Sequence, residues 1–239
     1  LSLQLSNGFI QLLINCLTKI WRPLTVSNRT GCLMTFEGPE GSGKSTLIKS
    51  IASVLLDIGA EIIEVREPGG TPVGEKIRDV LLDKELPELC AKTELLLMVA
   101  SRAQLVQETL KPALADGKII LCDRYAESSE AYQGGGRELG TAKVREMNNF
   151  AIDDIIPDVT FLCMVPPEIG RQRTSSRELD RMELESIAFH DRVYKAYCDM
   201  ADSDEKRFVV IDASKTPDEM LSSALEHFKK MEHQLLKLL

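Results

Sequence analysis

The sequence predicts an α/β fold of three layers, a five-stranded parallel sheet flanked by helices, on three observations. First, Gly38-Pro39-Glu40-Gly41-Ser42-Gly43-Lys44-Ser45 has Walker A spacing and lies between a short apolar run and a segment of helical period. Second, short apolar runs alternate with longer amphipathic stretches, the βαβ pattern of a parallel sheet with right-handed crossovers. Third, Asp123 directly follows a later apolar run, where the carboxylate partner of such a loop belongs.

The elements follow in order. Cys32 to Phe36 reads as a buried first strand, and Leu47, Ile48, Ile51, Leu55 and Ile58 mark a helix beginning near Lys44. Glycines let backbone N–H groups converge on a polyphosphate, Lys44 adds a point charge, Ser45 offers a hydroxyl to Mg²⁺, and Thr46 continues the loop into the helix. The helix N-terminus adds its positive end. Gly59 stops this helix, and Glu61 to Val65 is the second strand. It runs into Arg66-Glu67-Pro68-Gly69-Gly70-Thr71-Pro72, a loop at a strand's carboxyl end, where α/β folds bind ligands. Pro72 opens a helix carrying Arg78.

Between Leu86 and Leu110 lies a helix that is apolar almost all round, which predicts burial; Arg102 is its exception. That arginine either pairs with a structural carboxylate or faces a pocket holding an anion or a base. Lys118 to Cys122 is the third strand, ending in Asp123-Arg124-Tyr125, and Asp123 can hold Mg²⁺ through water beside Ser45. Ser128-Ser129, Tyr132-Gln133 and Gly134-Gly135-Gly136 follow, the glycines expected in a flexible turn and Gln133 placed to read a base edge.

A helix over Thr141 to Ile152 and a fourth strand over Asp158 to Val165 precede Pro166-Pro167, which opens a helix into Arg171, Arg173, Arg177 and Arg181. This cluster is either a solvated face or a lid that closes over phosphates. A long helix from Asp180 to about Ala201, a fifth strand at Arg207 to Ile211, and a last helix complete the chain. The last helix opens with the capping box Thr216-Pro217-Asp218-Glu219.

The chain has 239 residues, 44% hydrophobic and 28% charged, which fits one domain. That domain is expected over residues 32–239, with a lid segment at about 170–182. Residues 1–31, acid-free throughout and without any charged side chain before Lys19, are expected to be an extension outside the core. A net charge of -8 without a basic stripe argues against nucleic-acid binding. Six scattered cysteines without a Cys-x-x-Cys pair read as buried, reduced thiols in a cytoplasmic setting, and His190, His227 and His233 as surface or packing residues. No segment reads as a membrane span.

Taken in order, Phe-Glu-Gly-Pro-Glu-Gly-Ser-Gly-Lys-Ser-Thr, Arg-Glu-Pro-Gly-Gly-Thr-Pro, Ala-Ser-Arg, Cys-Asp-Arg-Tyr, Ser-Ser-x-x-Tyr-Gln-Gly and the arginine segment through Arg181 resemble bacterial-type thymidylate kinases of the P-loop nucleoside monophosphate kinase group. The resemblance runs from about Cys32 to the last helix. It implies phosphoryl transfer from Mg·ATP to dTMP in dTTP synthesis, and a homodimer. It further implies that Gly38 to Thr46 wrap ATP, that Ser45 and Asp123 serve the metal, and that Glu40 meets the acceptor's 3′-hydroxyl. Arg78 and Arg124 would hold the acceptor phosphate, oriented by Glu67, while Arg102, Ser129 and Gln133 meet the base. Relatives of this type carry a catalytic arginine either in the loop or in the lid. Here Glu40-Gly41 occupies the loop, so Arg171 and Arg177 are the expected cations beside Lys44 and Arg124. The alternatives are a kinase for another monophosphate and a non-catalytic ATP-binding module.

Overall fold

A computed structural model describes residues 31–175, 178–204 and 207–236, with side chains to 228. The expected extension therefore lies outside the described residues apart from Gly31. Five parallel strands, β1 (Cys32–Glu37), β2 (Ile62–Arg66), β3 (Ile119–Asp123), β4 (Val159–Met164) and β5 (Phe208–Asp212), form one sheet in the order β2-β3-β1-β4-β5. The phosphate-loop strand is thus central, and the sheet is the one the sequence predicts, with strand ends differing by a residue or so. Helices α1 (Lys44–Asp57), α2 (Pro72–Leu82) and α3 (Ala91–Leu105) come first, α3 running through a π-helical turn (Val106–Leu110) into α4 (Lys111–Ala115). After β3 come α5 (Ala126–Ser129), a second π-helical segment (Glu130–Gly136) and α6 (Thr141–Ile152). Helices α7 (Pro167–Thr174), α8 (Ile187–Ser203) and α9 (Pro217–Leu236) complete the order.

Both sheet faces are covered, because parallel strands buried on both sides must be. On one face Leu47, Ile51 and Leu55 of α1 and Leu221, Leu225 and Phe228 of α9 pack on Met34, Phe36 and Phe161. On the other, Leu105, Val106 and Leu110 pack on Leu33, Ile120 and Cys122. A third cluster joins Tyr132 to Leu162, Phe189, Val193 and Tyr197, fixing α8 beside the π-helical segment. Register matters most at the strand ends: Phe36 pairs with Asp123, which brings the third strand's aspartate alongside the loop leaving β1.

Four expectations need correction. The long helix starts at Ile187, not Asp180: Asp180 Oδ1 accepts from the Met182 and Glu183 N–H groups in a local turn, and Ser186 caps the helix by accepting from Phe189. Helix α3 is not buried all round, since Leu96 is 55% exposed. The glycine run is no flexible loop: a Cβ on Gly136 would lie 2.6 Å from the Phe189 ring, so glycine there permits close packing. Of the cysteines, Cys32, Cys122 and Cys163 are buried free thiols, whereas Cys90 is exposed and Cys198 half-buried; Cys16 lies outside the described residues. The capping box is present, with Glu219 N–H donating to Thr216 Oγ1 and the Thr216 N–H and hydroxyl donating to Glu219.

Candidate active site

Every strand points its carboxyl end at one rim, and the site is built there. At Gly38 φ is 132°, and a Cβ would meet the Cys163 carbonyl at 2.1 Å, so the chain can leave β1 in this direction only as glycine. The loop then curls into α1. Lys44 is folded into it, donating to the carbonyls of Gly38 (3.1 Å) and Pro39 (2.9 Å), and burial, with Arg124 nearby, pulls its pKa down. Ser45 Oγ donates to Asp123 Oδ2 at 2.9 Å, across the register just described. A cleft of about 640 Å³ opens over Glu40 to Thr46. Arg173 donates to the carbonyls of Gly41 (3.2 Å) and Ala213 (2.8 Å), tying α7 to this loop.

The donors fit a small hard cation. A hydroxyl and a carboxylate oxygen side by side, facing an open cleft, are what Mg²⁺ takes from a protein when phosphates and water supply the rest.

A second, narrower cavity of about 90 Å³ lies behind the cleft. Glu40, Glu67, Arg78, Arg124 and Asp180 line both, so they form the shared wall. Arg124 dominates it. Its backbone is left-handed at φ 72°, a conformation that costs a non-glycine residue energy and persists only where surroundings enforce it. Its guanidinium pairs with Glu40 and donates to the Gly38 carbonyl, Ser128, Tyr132 and Tyr197. Arg78 donates to the Pro68 carbonyl at 2.8 Å, its pKa drawn down by burial and by Arg66.

Arg102 answers the question its sequence position posed. It is 1% exposed, and each of its three nitrogens has a partner: Nε donates to Glu67 Oε2 (2.8 Å), Nη1 to Ser129 Oγ and Asn148 Oδ1, and Nη2 to the Tyr125 carbonyl, while Nη2 also lies 2.6 Å from Glu67 Oε2 as an ion pair. Arg102 therefore lines the inner cavity while holding a buried carboxylate. Ser129 is buried on its donor fork. Gln133 is buried at the cavity wall, its Nε2 donating to Glu94 Oε1 at 2.9 Å.

Glu94 was not singled out from the sequence, although an acid on an apolar helix is the same signal that marked Arg102. It is wholly buried and also accepts from Arg137 and Arg181. Burial alone would push its carboxyl up; the hydrogen bonds from Arg137 and Gln133 outweigh it and hold it below the usual range. Glu37 was missed too. Its carboxylate, buried at the end of β1, accepts from the Tyr125 and Ser128 N–H groups, Ser128 Oγ and Tyr197, and burial together with Glu127 raises its pKa to about 7. Met98, Leu82 and Met182 supply apolar wall to the inner cavity; no pattern in the chain distinguishes them from core residues.

The arginines of the segment expected to be a lid separate. Arg173 reaches the loop, whereas Arg171 lies outside both cavities, 3.8 Å from Glu168, with Nη1 lacking a hydrogen-bond partner among the described residues. Arg181 turns inward to Glu94 and the Leu81 carbonyl and does not face the phosphate cleft. Arg177 lies outside the described residues.

Comparison with known proteins adds to this geometry. Residues 36–224 match the family model described as thymidylate kinase. A thymidylate kinase of Finegoldia magna is 46% identical over 198 residues, covering 82% of this chain and 97% of that protein. One of Lactobacillus acidophilus is 42% identical over 204 residues, covering 84% and 94%. The crystal structure of thymidylate kinase from Ehrlichia chaffeensis superposes with a TM-score of 0.69 at 28% identity, covering 83% of this chain and 98% of that one.

Proposed function

The chain belongs to the thymidylate kinase family, and from that premise we propose that it transfers the γ-phosphoryl group of Mg·ATP to dTMP, giving dTDP and ADP in dTTP synthesis. The observation that carries this reading is the shared wall: a phosphate-loop cleft and a base-sized cavity meet at Glu40 and Arg124, so a donor in one and an acceptor in the other would present their phosphates to each other. Phosphoryl transfer needs in-line positioning and spread positive charge rather than a protein nucleophile.

In this assignment Gly38, Pro39, Glu40, Gly41, Ser42, Gly43, Lys44, Ser45 and Thr46 hold ATP, and Lys44 leaves its carbonyl partners to follow the transferred group. Ser45 and Asp123 would hold Mg²⁺, which when bound would neutralise charge at the donor phosphates. Arg124 and Arg78 bind the acceptor phosphate, while Glu40 exchanges its pairing with Arg124 for the sugar 3′-hydroxyl. Glu67 and Ser129 act through Arg102, whose planar guanidinium, held by these partners, gives the base a flat wall beside Gln133. Arg171, whose Nη1 has no hydrogen-bond partner among the described residues, and Arg177 are the lid cations left to act on closure; Arg173 anchors the lid helix.

A panel of nucleoside monophosphates tests this. ADP release in a coupled assay should be fastest with dTMP; equal rates for dUMP, dCMP and dGMP would overturn the assignment of dTMP, and no release with any of them would favour a binding module. No described helix is long and apolar enough to cross a membrane, and the free buried thiols suit a cytoplasmic enzyme. Leu96 and Phe150, exposed apolar residues of α3 and α6, suit a homodimer contact, and light scattering should then give about twice the 26.6 kDa chain mass.

A further inference from the structure

The hydrogen-bonding sense of the inner cavity is set behind its wall. A primary amide can present either its oxygen or its NH₂ to a ligand, and a glutamine free to turn would accept a base with either pattern. Gln133 is not free. Its neighbour Glu94 is wholly buried and accepts from Arg137 Nη2 at 3.0 Å and Arg181 Nη2 at 2.8 Å, two cations that keep it ionised. An ionised carboxylate only accepts, so the amide must give it the NH₂ side, and does so at 2.9 Å. The amide oxygen is thereby forced the other way. Gln133 Oε1 is buried without a hydrogen-bond partner among the described residues, in a residue that lines the cavity, and a buried acceptor left empty is costly unless a ligand fills it.

We propose that Glu94, clamped by Arg137 and Arg181, is a positioning residue that fixes Gln133 as an acceptor and so selects pyrimidines carrying an imide N3–H, thymine and uracil, over cytosine. The inference rests on the assignment of the inner cavity to the acceptor base. Cytosine presents an unprotonated N3, so its lone pair would face the oxygen of Gln133 with no hydrogen between them. A site that leaves a buried polar pair unmatched rejects the analogue far more strongly than one that merely loses a contact. Arg181 lies near the end of the segment expected to be a lid, at about 170–182, so the same clamp connects base reading to that segment.

The test compares kcat/KM for dTMP and dCMP in the wild type, Glu94→Gln and Glu94→Asp. The glutamine variant offers an amide to Gln133 and releases its orientation; the aspartate variant keeps a carboxylate that only accepts. The dTMP/dCMP ratio should fall at least tenfold in Glu94→Gln, with the ATP KM within about twofold, and should largely persist in Glu94→Asp. An unchanged ratio in a soluble Glu94→Gln variant overturns the inference. Should that variant not fold, the wild type decides: 5-fluoro-dUMP, whose N3–H is acidified by fluorine, should show a KM that climbs with pH as N3 deprotonates, while the dTMP KM stays flat over that range. Parallel profiles overturn the inference. Absence of dTMP turnover in the wild type would overturn the assigned activity and this inference with it, whereas intact dTMP turnover with an unchanged ratio removes the inference alone.

Discussion

The Tyr197 hydroxyl on α8 donates to Glu37 Oε2 at the end of β1 at 3.0 Å, closing a contact between residues 160 positions apart. Ser128 Oγ joins the same oxygen at 2.6 Å, and both hydroxyls in turn accept from Arg124 Nη1. A carboxylate buried under the phosphate loop thus holds the partners that hold the site's central arginine.

The pH dependence of stability follows from that carboxylate. Burial, reinforced by Glu127, raises the Glu37 pKa to about 7, so between its unfolded value and 7 the folded chain binds the extra proton. Its contribution is therefore full below the unfolded pKa, falls as pH rises through the folded value, and is flat above. Glu37→Gln removes this slope while both hydroxyls can turn to accept from the new amide. The Tm of Glu37→Gln relative to wild type should rise from pH 5 to about 7.5 and then level, as read by thermal unfolding in matched buffers. A difference that is constant with pH, or falls, refutes it.

Arg102→Ala should destabilise strongly. It strands the buried Glu67 carboxylate, whose Oε1 has no hydrogen-bond partner among the described residues, and breaking a buried pair from one side typically costs about 3–5 kcal/mol. Replacing both, Arg102→Met with Glu67→Leu, should recover much of the loss in urea unfolding yet leave the dTMP KM raised. A single variant as stable as wild type would show that the pair is not a structural clamp.

Lys44→Ala should lower kcat by a thousandfold or more if Lys44 is the cation proposed to follow the transferred group. Its resting hydrogen bonds to two loop carbonyls are worth only about 1 kcal/mol each, so the Tm should fall by no more than about 8 °C. Collapse of the Tm with the activity would recast Lys44 as a packing residue.

The two lid arginines should part kinetically. Arg173→Ala unties α7 from Gly41 and should raise the ATP KM about tenfold, the value of roughly one charge-assisted hydrogen bond. Arg171→Ala should instead lower kcat at least tenfold with the ATP KM little changed, if the Nη1 that has no hydrogen-bond partner among the described residues serves the transferred phosphoryl as proposed. The opposite pattern would exchange their roles.

Asp123→Asn should raise the Mg²⁺ concentration for half-maximal activity severalfold while leaving the dTMP KM near its wild-type value, because the carboxylate faces Ser45 and the donor cleft. An unaltered Mg²⁺ requirement would remove Asp123 from the metal site.

Much of the fold was legible in the chain because its signals are local. Walker A spacing, the apolar run from Cys32 to Phe36, the helical period after Lys44 and the Thr216 capping box each encode hydrogen bonds and burial within a few residues, and the sheet follows once parallel strands must alternate with helices. The site's inventory was legible for the same reason: glycines, Lys44, Ser45, Asp123 and Arg124 sit at fixed offsets from strand ends. The helix start at Ser186 was not, because Asp180 and Ser186 both carry capping chemistry and only packing of Phe189 against Tyr132 selects the second.

The sequence by itself determined which chemistry is present; tertiary structure decided which way each group faces and which charges are already committed. Arg102 meets Glu67, Ser129 and Asn148 from 35, 27 and 46 positions away, and Gln133 takes its orientation from Glu94 at a separation of 39. Such partners leave no local pattern. A buried guanidinium must find an acceptor for every N–H and a buried carboxylate must find its donors, and that pairing exists only once the helices have packed.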